Sequence, residues 1–407
     1  MLRKLWDRIS RKSTLAQPDP WLREALGVEK TFSGVELTPE GSMASSTVTA
    51  CVRLLSESVA SLPLHVYRRG DMGKIRAPEH ALYRLLHDRP NAYQTSYTWR
   101  AQMMTSVLLF GNSYSLVEKD LDGRIVGLWP LDSRRVTLKA EGGELFYEHR
   151  PPRGEKQTFA YGEVLHIKGP SIDGLTGMSV IRLAREGIGL DLALSRHGSL
   201  LFKNNAAPKA YISHPQRLSS QAKDLITGYM EDRFGGLMNA GKLGVLEEGM
   251  KIETLPVSNE DAQFLGSRQF SVQDICRWFK INPHLVGDPS RLAYASSEAE
   301  FNAYLVHSLA PWLRNIESEM GATLLGDDDG HLIEFDPNGM ARGSQAERYE
   351  SYSKGLAAGF LTVADVRAAE NLPFLPGTDE LRTEKSMKVR RIIRDENGHM
   401  AGIEEAS

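Results

Sequence analysis

The 407-residue sequence predicts an α+β protein whose central part is helical. Residues 45–169 combine apolar helical periodicity with short strands separated by Asp-Gly and Gly-Gly turns. From residue 177 onward, two long helical patterns enclose a short segment of mixed strand and helix composition. A hydrophobic content of 41% and a charged content of 25% are ordinary for a folded globular protein.

The first predicted helix lies in SSTVTACVRLLSESVASLPLHVYRR, residues 45–69. Its apolar residues recur at steps of three and four, the period of one buried helix face: Val48, Cys51, Val52, Leu55, Val59 and Leu62. Pro63 is expected to end the helix because it has no N–H to donate and its ring crowds the preceding turn. The alternation that follows, with Leu64, Val66 and Tyr67, predicts a strand.

Two hairpins are predicted after a second helix over residues 95–109. Asp122-Gly123 separates SYSLVEK from RIVGLW, and Gly142-Gly143 separates VTLKAE from ELFYE. Residues 161–168 supply one further strand. Residues 45–169 therefore contain enough apolar pattern for an independent core of sheet and helix.

The central helical pattern starts with residues 178–202, despite three glycines that each disfavour a helix by about 1 kcal/mol relative to alanine. Close packing of these glycines, Gly187, Gly189 and Gly198, on neighbouring elements is expected to offset that penalty. A small module and a returning helix follow, predicted as strand 209–213, helix 219–234, strands 242–246 and 251–255, and a helix from 258 or 259 to 280.

The last third is predicted to begin with a loop over 282–296 and to continue as helices with one strand. Ser297-x-x-Glu300 is a capping box that opens a helix running to about residue 320, which Pro311 is expected to kink. A strand is predicted at 331–335. Helices then start at Ser344-x-x-Glu347 and Thr362-x-x-Asp365, and the last thirty residues are predicted to be mobile.

Charge and cysteine content exclude several classes of protein. The net charge of −3 argues against a chain that coats nucleic acid, but allows DNA to pass without being gripped. Cys51 and Cys276, the only cysteines, are interpreted as small buried thiols of a protein made in a reducing cytoplasm. The basic, amphipathic N-terminus has no signal-peptide core, and docking on a partner protein or on a membrane surface both remain open for it.

The sequence contains two motifs that mimic functional sites. GLMNAGKL, residues 236–243, satisfies the glycine and lysine spacing of a phosphate-binding loop, but Leu243 replaces the magnesium-binding Ser or Thr. Asp327, Asp328, Asp329 and His331 could suggest a cation site, but they lie in a glycine-flanked turn and are interpreted as a solvated loop. No motif gives a positive case for catalysis.

Four phrases, taken together and in this order, resemble portal proteins of long-tailed double-stranded DNA bacteriophages. They are residues 45–69, HALYRLLHDRPN (80–91), LLFGNSYSLVEKDLDGRIVGLWPLD (108–132) and VLHIKGPSIDGLTGMSVI (164–181). The resemblance covers roughly residues 42–376. It implies a structural protein without cofactor or metal, forming a dodecameric ring at one capsid vertex of the virion after synthesis in the host bacterial cytoplasm.

The ring, by this resemblance, is the channel for double-stranded DNA during genome packaging and ejection. Its implied partners are further copies of the chain, the terminase large subunit, a head–tail adaptor, the major capsid and scaffold proteins, and DNA that passes without sequence specificity; no membrane is implied.

The implied parts are a mobile arm 1–41, wing 42–176 and 298–340 (including the kinked helix), stem helices 177–205 and 257–281, clip 206–256, channel loop 282–297, crown 341–375 and mobile tail 376–407.

The candidate site residues belong to two of these parts. The channel loop is formally neutral, which suits passage of DNA, and its candidates are Asp288, Ser290, Arg291 and Tyr294. The clip candidates for terminase and adaptor contact are polar residues chosen by their position in turns: Lys209, His214, Gln216, Arg217, Asn239 and Lys242. Two alternatives stay open, a capsid or scaffold subunit and a nucleotide-binding enzyme that uses residues 236–242.

Overall fold

The computed structural model describes residues 29–70, 73–203, 210–213, 219–234, 251–254, 260–287, 300, 302–328, 330–337, 345–370, 372–381, 390–394 and 400–405. The chain divides into two compact units, Met1–Asp336 and Pro337–Ser407. The first unit contains the sheets and the long central helices. The second is a smaller unit of helices and one strand pair.

The elements have the following bounds. The strands are β1 Glu29–Lys30, β2 Glu36–Leu37, β3 Leu64–Gly70, β4 Gly73–Arg76, β5 Asn112–Lys119, β6 Ile125–Leu131, β7 Val136–Glu141, β8 Glu144–His149, β9 Gln157–Ala160, β10 Val164–Lys168, β11 Ala210–Ser213, β12 Lys251–Thr254, β13 His331–Phe335, β14 Arg390–Arg394 and β15 Met400–Glu405. The α-helices are α1 Ser46–Ser61, α2 Ala81–His87, α3 Ser96–Phe110, α4 Val180–Leu183, α5 Arg185–Lys203, α6 Ser220–Phe234, α7 Glu260–Phe279, α8 Ala310–Met320, α9 Gln345–Ala357 and α10 Val363–Ala369.

Three small antiparallel sheets and the helix pair α1–α3 build the core of the first unit. The sheet orders are β13-β3-β4, β10-β5-β6 and β7-β8-β9. Helix α1 packs on α3, and the apolar face predicted for α1 is buried throughout. Strand β13 lies near the end of the first unit's sequence and pairs antiparallel with β3, the strand that follows helix α1. Residues 331–335 therefore form one edge of this sheet.

Local signals in the sequence explain where these elements begin and end. Ser45 caps α1 by accepting a hydrogen bond from the Val48 amide, and the chain is extended from Leu62 onward, as Pro63 predicts. The two hairpins form at the predicted turns, with Lys119 paired to Ile125 and Glu141 to Glu144. Both hairpin predictions are confirmed. The chain can turn at these positions because their glycines adopt positive φ at little cost.

The glycines of the central helix lie where neighbours approach closely, as expected. A β-carbon at Gly187 would lie 2.6 Å from Asp274, and one at Gly198 would lie 3.1 Å from the ring of Phe264. The pattern 178–202 is divided into α4 and α5, because Ala184 leaves helical geometry.

The N-terminal arm differs from its prediction over its last residues. Residues 29–41 were assigned to a mobile segment, but β1 and β2 form a hairpin in which Val35 and Leu37 are buried. Thr31 lies against Gly189, where a β-carbon would be 2.6 Å from the threonine methyl group. The Phe32 amide donates a hydrogen bond to Glu186. This hairpin therefore packs on α5, and residues 1–28 lie outside the described residues.

The helix around Pro311 takes a form that the sequence did not specify. A π-helical segment, Tyr304–Leu309, precedes α8, and a second one, Gly321–Leu325, follows it. The amide of Ala310 donates to Leu305, five residues back, so the wider turn adapts the backbone just before the proline that has no N–H. The Ser297 end of the predicted capping box lies outside the described residues.

The second unit confirms one cap and adds a strand pair. Thr362 and Asp365 form the predicted capping box, in which each side chain accepts the other residue's amide. Arg348 joins α9 to α10 by an ion pair with Glu370 at 3.0 Å. The tail 376–407 was predicted to be mobile, but β14 and β15 pair as antiparallel strands within it.

Candidate functional site

All ten predicted site residues lie outside the described residues. These are the channel-loop set Asp288, Ser290, Arg291 and Tyr294, and the clip set Lys209, His214, Gln216, Arg217, Asn239 and Lys242. The structure does describe the elements from which both segments leave and to which they return. Their geometry defines the candidate site.

The helices α5 and α7 pack against each other as an antiparallel pair. Near one end Gly187 faces Asp274, and farther along Gly198 faces Phe264, so the contacts run in opposite directions along the two helices. The rings of His197 and Phe264 have centroids 5.9 Å apart. Since glycine removes side-chain volume at two of these positions, the helix axes can approach closely.

One end of this pair is fixed to helix α1. The Ser45 hydroxyl donates a hydrogen bond of 2.7 Å to the buried carboxylate of Asp191 on α5. Cys276 on α7 forms a hydrogen bond with Cys51 on α1, and this bond, together with burial, raises the pKa of the Cys51 thiol well above its ordinary value. Both cysteines are buried and neither forms a disulfide, which confirms their interpretation as small buried thiols.

The small module between α5 and α7 contains a two-stranded sheet and a helix. Strands β11 and β12 pair antiparallel, with Ala210 opposite Thr254 and Ser213 opposite Lys251. Helix α6 follows β11, and the Ser219 hydroxyl accepts a hydrogen bond from the Ala222 amide at its start. The predicted strand over 242–246 and the phosphate-loop mimic over 236–243 lie outside the described residues.

The other predicted segment, 288–299, leaves from the end of α7 through a tightly bonded turn. Ile281 is buried after Lys280, which has a left-handed backbone with a φ of 55°. The Asn282 side chain accepts the His284 amide, and a short 3-10 turn, Pro283–Val286, ends at Gly287 with a φ of 89°. The chain direction is therefore set before the segment begins.

The end of segment 288–299 returns close to its start. The imidazole of His284 lies 3.8 Å from the carboxylate of Glu300. A few residues later, the Ser308 hydroxyl donates a hydrogen bond to the Lys280 carbonyl. Tyr304 is held in turn by α1, since its hydroxyl donates to Ser58 at 2.9 Å. The described residues on the two sides of the segment are thus bonded to each other through Ser308 and Lys280, and the returning side is bonded to α1 through Tyr304.

One group of side chains in the described part of the chain could hold a metal ion, and it belongs to neither predicted site. His80, Asp328 and His331 each offer one ligand atom, and these atoms lie within 4.8 Å of one another. From sequence alone, Asp328 and His331 are predicted to lie in a solvated turn, and no local pattern connects them with His80. The residues lie far apart in the sequence, so only the pairing of β13 with β3 brings them together. None of the helices in the described residues has the length and apolar character needed to span a bilayer.

Comparison with known proteins gives consistent matches. A family model described as "Phage portal protein" matches residues 46–371. A "probable portal protein" of Streptomyces phage phiC31 is 34% identical over 84% of this chain and 78% of its own length. The portal protein of Enterobacteria phage HK97 is 30% identical over 82% and 80%. A chain from the neck of a native gene transfer agent particle, computed with C12 symmetry, superposes with a TM-score of 0.56 and 23% identity, over 87% of this chain and 99% of that chain.

Proposed function

The chain belongs to the phage portal protein family, and from that membership we propose that about twelve copies form a closed ring around a DNA channel at one capsid vertex. The family is structural rather than enzymatic, which removes the nucleotide-hydrolase alternative. The observation that carries the proposal is the antiparallel pair α5–α7, with a small α/β module at one end and a core-anchored loop at the other. The C12 neck chain with the same fold supports the subunit number.

The parts of the proposed subunit keep the boundaries predicted from the sequence, while the hairpin β1–β2 in the arm and the pair β14–β15 in the tail differ from the predicted mobile ends. Residues 42–176 and 298–340 form the wing, 177–205 and 257–281 the stem, 206–256 the clip and 341–375 the crown. The stem is well suited to a ring wall, because its helices are braced against α1 by Ser45 and Cys51. Repeating one subunit contact around a closed ring buries a different face on each side of the subunit.

The channel loop is the proposed contact with double-stranded DNA. Residues 282–297 carry one positive and one negative formal charge, Arg291 and Asp288, so twelve copies add no net attraction for phosphate. Phosphate contacts add salt-dependent affinity, and a basic loop would hold the duplex rather than let it pass. Ser290 and Tyr294 are the uncharged candidates for transient contact, and the contacts of Glu300 with His284 and of Ser308 with Lys280 bring together the described residues on either side of the segment.

The clip is the proposed docking site for the terminase large subunit during packaging and for a head–tail adaptor afterwards. Its polar candidates remain Lys209, His214, Gln216, Arg217, Asn239 and Lys242. The described part supports a compact module, since β11 and β12 pair and α6 spans fifteen residues beside them in sequence. The mature ring is proposed to lie in the virion, with the major capsid and scaffold proteins as neighbours.

Ring assembly is the direct test of the proposed function. We expect the purified chain to form closed rings with a central hole in negative-stain images, without added nucleotide. Native mass spectrometry should show a dominant mass close to twelve subunits, or one subunit more or fewer. Monomers alone across micromolar concentrations, or closed shells, would contradict the proposal and favour a capsid or scaffold subunit.

Shortening the channel loop is expected to separate assembly from DNA handling. Removing residues 290–294 should leave rings intact, because the anchoring contacts of Ser308, His284 and Glu300 remain, but should reduce packaged DNA in an in vitro packaging assay. Two lysines added to the loop should slow packaging, more strongly at low salt. As a control, two lysines that replace the exposed residues Leu121 and Asp122 should leave the packaging rate unchanged. If all variants package DNA equally well, the DNA contact lies elsewhere.

A further inference from the structure

We propose that His80, Asp328 and His331 form a binding site for a divalent transition-metal ion, with Zn²⁺ as the best match to the ligand set. Two imidazoles and one carboxylate are ligands that zinc commonly takes in proteins. Their ligand atoms already lie within 4.8 Å of one another. This inference does not depend on ring formation.

The distances suit an ion after a small adjustment. The Nδ1 atom of His331 lies 2.8 Å from Oδ2 of Asp328, and Nε2 of His80 lies 4.0 Å from the same oxygen. Zinc–ligand distances of about 2.0–2.1 Å in a tetrahedral site require ligand atoms roughly 3.3 Å apart. The His331–Asp328 pair must open and the His80–Asp328 pair must close, each by less than about 1 Å, and the two imidazole nitrogens, which lie within 4.8 Å of each other, must approach by up to about 1.5 Å; rotation of the two histidine side chains can provide this.

Hydrogen bonds position Asp328 and Gly330 beside the two imidazoles. The Gly330 amide donates to Oδ1 of Asp328, which leaves Oδ2 directed at both imidazoles. The Arg69 amide donates to the Gly330 carbonyl, and this bond ties the turn to strand β3. Since these bonds hold Asp328 and Gly330, an ion would find two of its ligands beside hydrogen-bonded backbone.

The neighbouring surface leaves room for a water ligand. Asp328 and His331 help line an open cleft of about 410 Å³, together with Glu317, Glu334 and Arg69. The side chains of His80 and His331 are about one-fifth exposed, so an ion can enter from solvent. Three protein ligands and one open position describe an exchangeable site rather than a closed structural one.

Binding has one identifiable consequence for local hydrogen bonds. His80 caps α2 by accepting the Leu82 amide at Nδ1, at 3.2 Å, while Nε2 faces Asp328. Coordination through Nε2 moves the imidazole proton to Nδ1 and gives up this cap. The proton of His331 that faces Asp328 is displaced from Nδ1 in the same way, so the ion replaces protons already shared within the cluster. In return the ion cross-links the turn before β13 to the start of α2.

The test uses untagged full-length protein and Zn²⁺ in isothermal titration calorimetry, with Co²⁺ absorption as the second readout. We expect one ion per chain and a higher melting temperature with Zn²⁺, because the ion binds the folded state. His80→Asn keeps a capping side chain, Asp328→Asn keeps the acceptor for Gly330, and His331→Asn removes the third ligand. Each should weaken binding by more than the effect of about 10–100-fold that losing a group that only supports a ligand produces.

The matched control is His307→Asn, which removes an exposed histidine outside the cluster and should bind like wild type. Binding that is absent in wild type, or equal in all four variants, would overturn the proposal. The wild-type Co²⁺ spectrum decides the question even if one variant fails to fold, because a hexa-aqua spectrum at saturating Co²⁺ excludes coordination by the cluster.

Discussion

Replacing Gly177 with alanine is expected to destabilise the protein by about 3 kcal/mol or more. A β-carbon at this position would overlap the carbonyl oxygen of Gly111 and the amide nitrogen of Gly169. These are backbone atoms, and they are bonded to each other, since the Gly169 amide donates to the Gly111 carbonyl at 2.7 Å. No side-chain rotation can relieve the overlap, so the junction itself must open.

The junction joins the ends of three different elements of the chain. Gly111 ends α3, Gly169 follows β10, and Gly177 precedes α4. The Asn112 side chain closes the group by accepting from the Gly177 amide at 2.8 Å and donating to its carbonyl at 2.9 Å. Opening the junction therefore breaks paired polar contacts as well as packing.

A graded glycine series provides the measurement and its control. In urea unfolding followed by tryptophan fluorescence, Gly177→Ala should lose the most stability and Gly169→Ala less, since its nearest atoms lie at 3.0 and 3.1 Å. Gly321→Ala meets no atom within 4 Å and should be neutral or gain up to about 1 kcal/mol in its helical segment. A Gly177→Ala protein as stable as Gly321→Ala would show that the junction is not rigid.

Elements encoded by short-range pattern could be predicted from the sequence. The apolar period of α1, the proline after it and the Asp-Gly and Gly-Gly turns each act within a few residues, and their elements formed where expected. The Thr362 capping box is equally local and is also confirmed. The portal fold and family followed from four such phrases in the right order.

Features that need contacts between distant segments could not be predicted. The glycine junction and the cluster of His80 with Asp328 and His331 both depend on which strands pair, and periodicity does not specify that. The site residues of the channel loop and the clip remain predictions, because they lie outside the described residues.

Two terminal strand pairs were missed for a different reason, because their signals are short. The hairpin β1–β2 has only two residues in each strand, and its stability comes from Val35, Leu37 and the contact of Thr31 with Gly189. In the tail, Asn397-Gly398 is a recognised hairpin signal between β14 and β15. The high charge and weak apolar periodicity of the last thirty residues predict a mobile tail instead.

Two buried histidines are expected to lower the free energy of unfolding as the pH falls below about 6.5, well above the pH range in which carboxylates titrate. Burial lowers the pKa of His166 to about 3, helped by Lys168, and lowers that of His65 to about 4, helped by Arg76 and His87. Both side chains are held neutral by neutral partners. His166 donates from Nε2 to Asn112 and accepts from Tyr147 at Nδ1, while Nδ1 of His65 lies 3.0 Å from the Tyr83 hydroxyl.

The direction of the effect follows from which state binds more protons. An unfolded histidine has a pKa near 6.5, so below that pH the unfolded chain takes up protons that the native histidines refuse. The contribution of the two neutral histidines to the free energy of unfolding is therefore fully present above about pH 6.5, and it falls as the pH drops toward their native pKa values. Each histidine contributes about 1.4 kcal/mol per pH unit, and the pair about 2.7 kcal/mol, over the steep part of this window.

Urea unfolding at pH 7.0, 6.0 and 5.0 measures this slope while most carboxylates stay ionised. His80, whose pKa is lowered by burial, adds to the slope, and Glu317, whose pKa is raised by burial, opposes it toward the acid end. His166→Gln should remove about half of the slope from the pair, because glutamine can still donate to Asn112 without taking up a proton. The exposed His307→Asn should leave it unchanged. A wild-type free energy of unfolding that stays constant from pH 7 to 5 would mean that the two histidines are solvated, and the buried contact of His166 with the glycine junction would then be wrong as well.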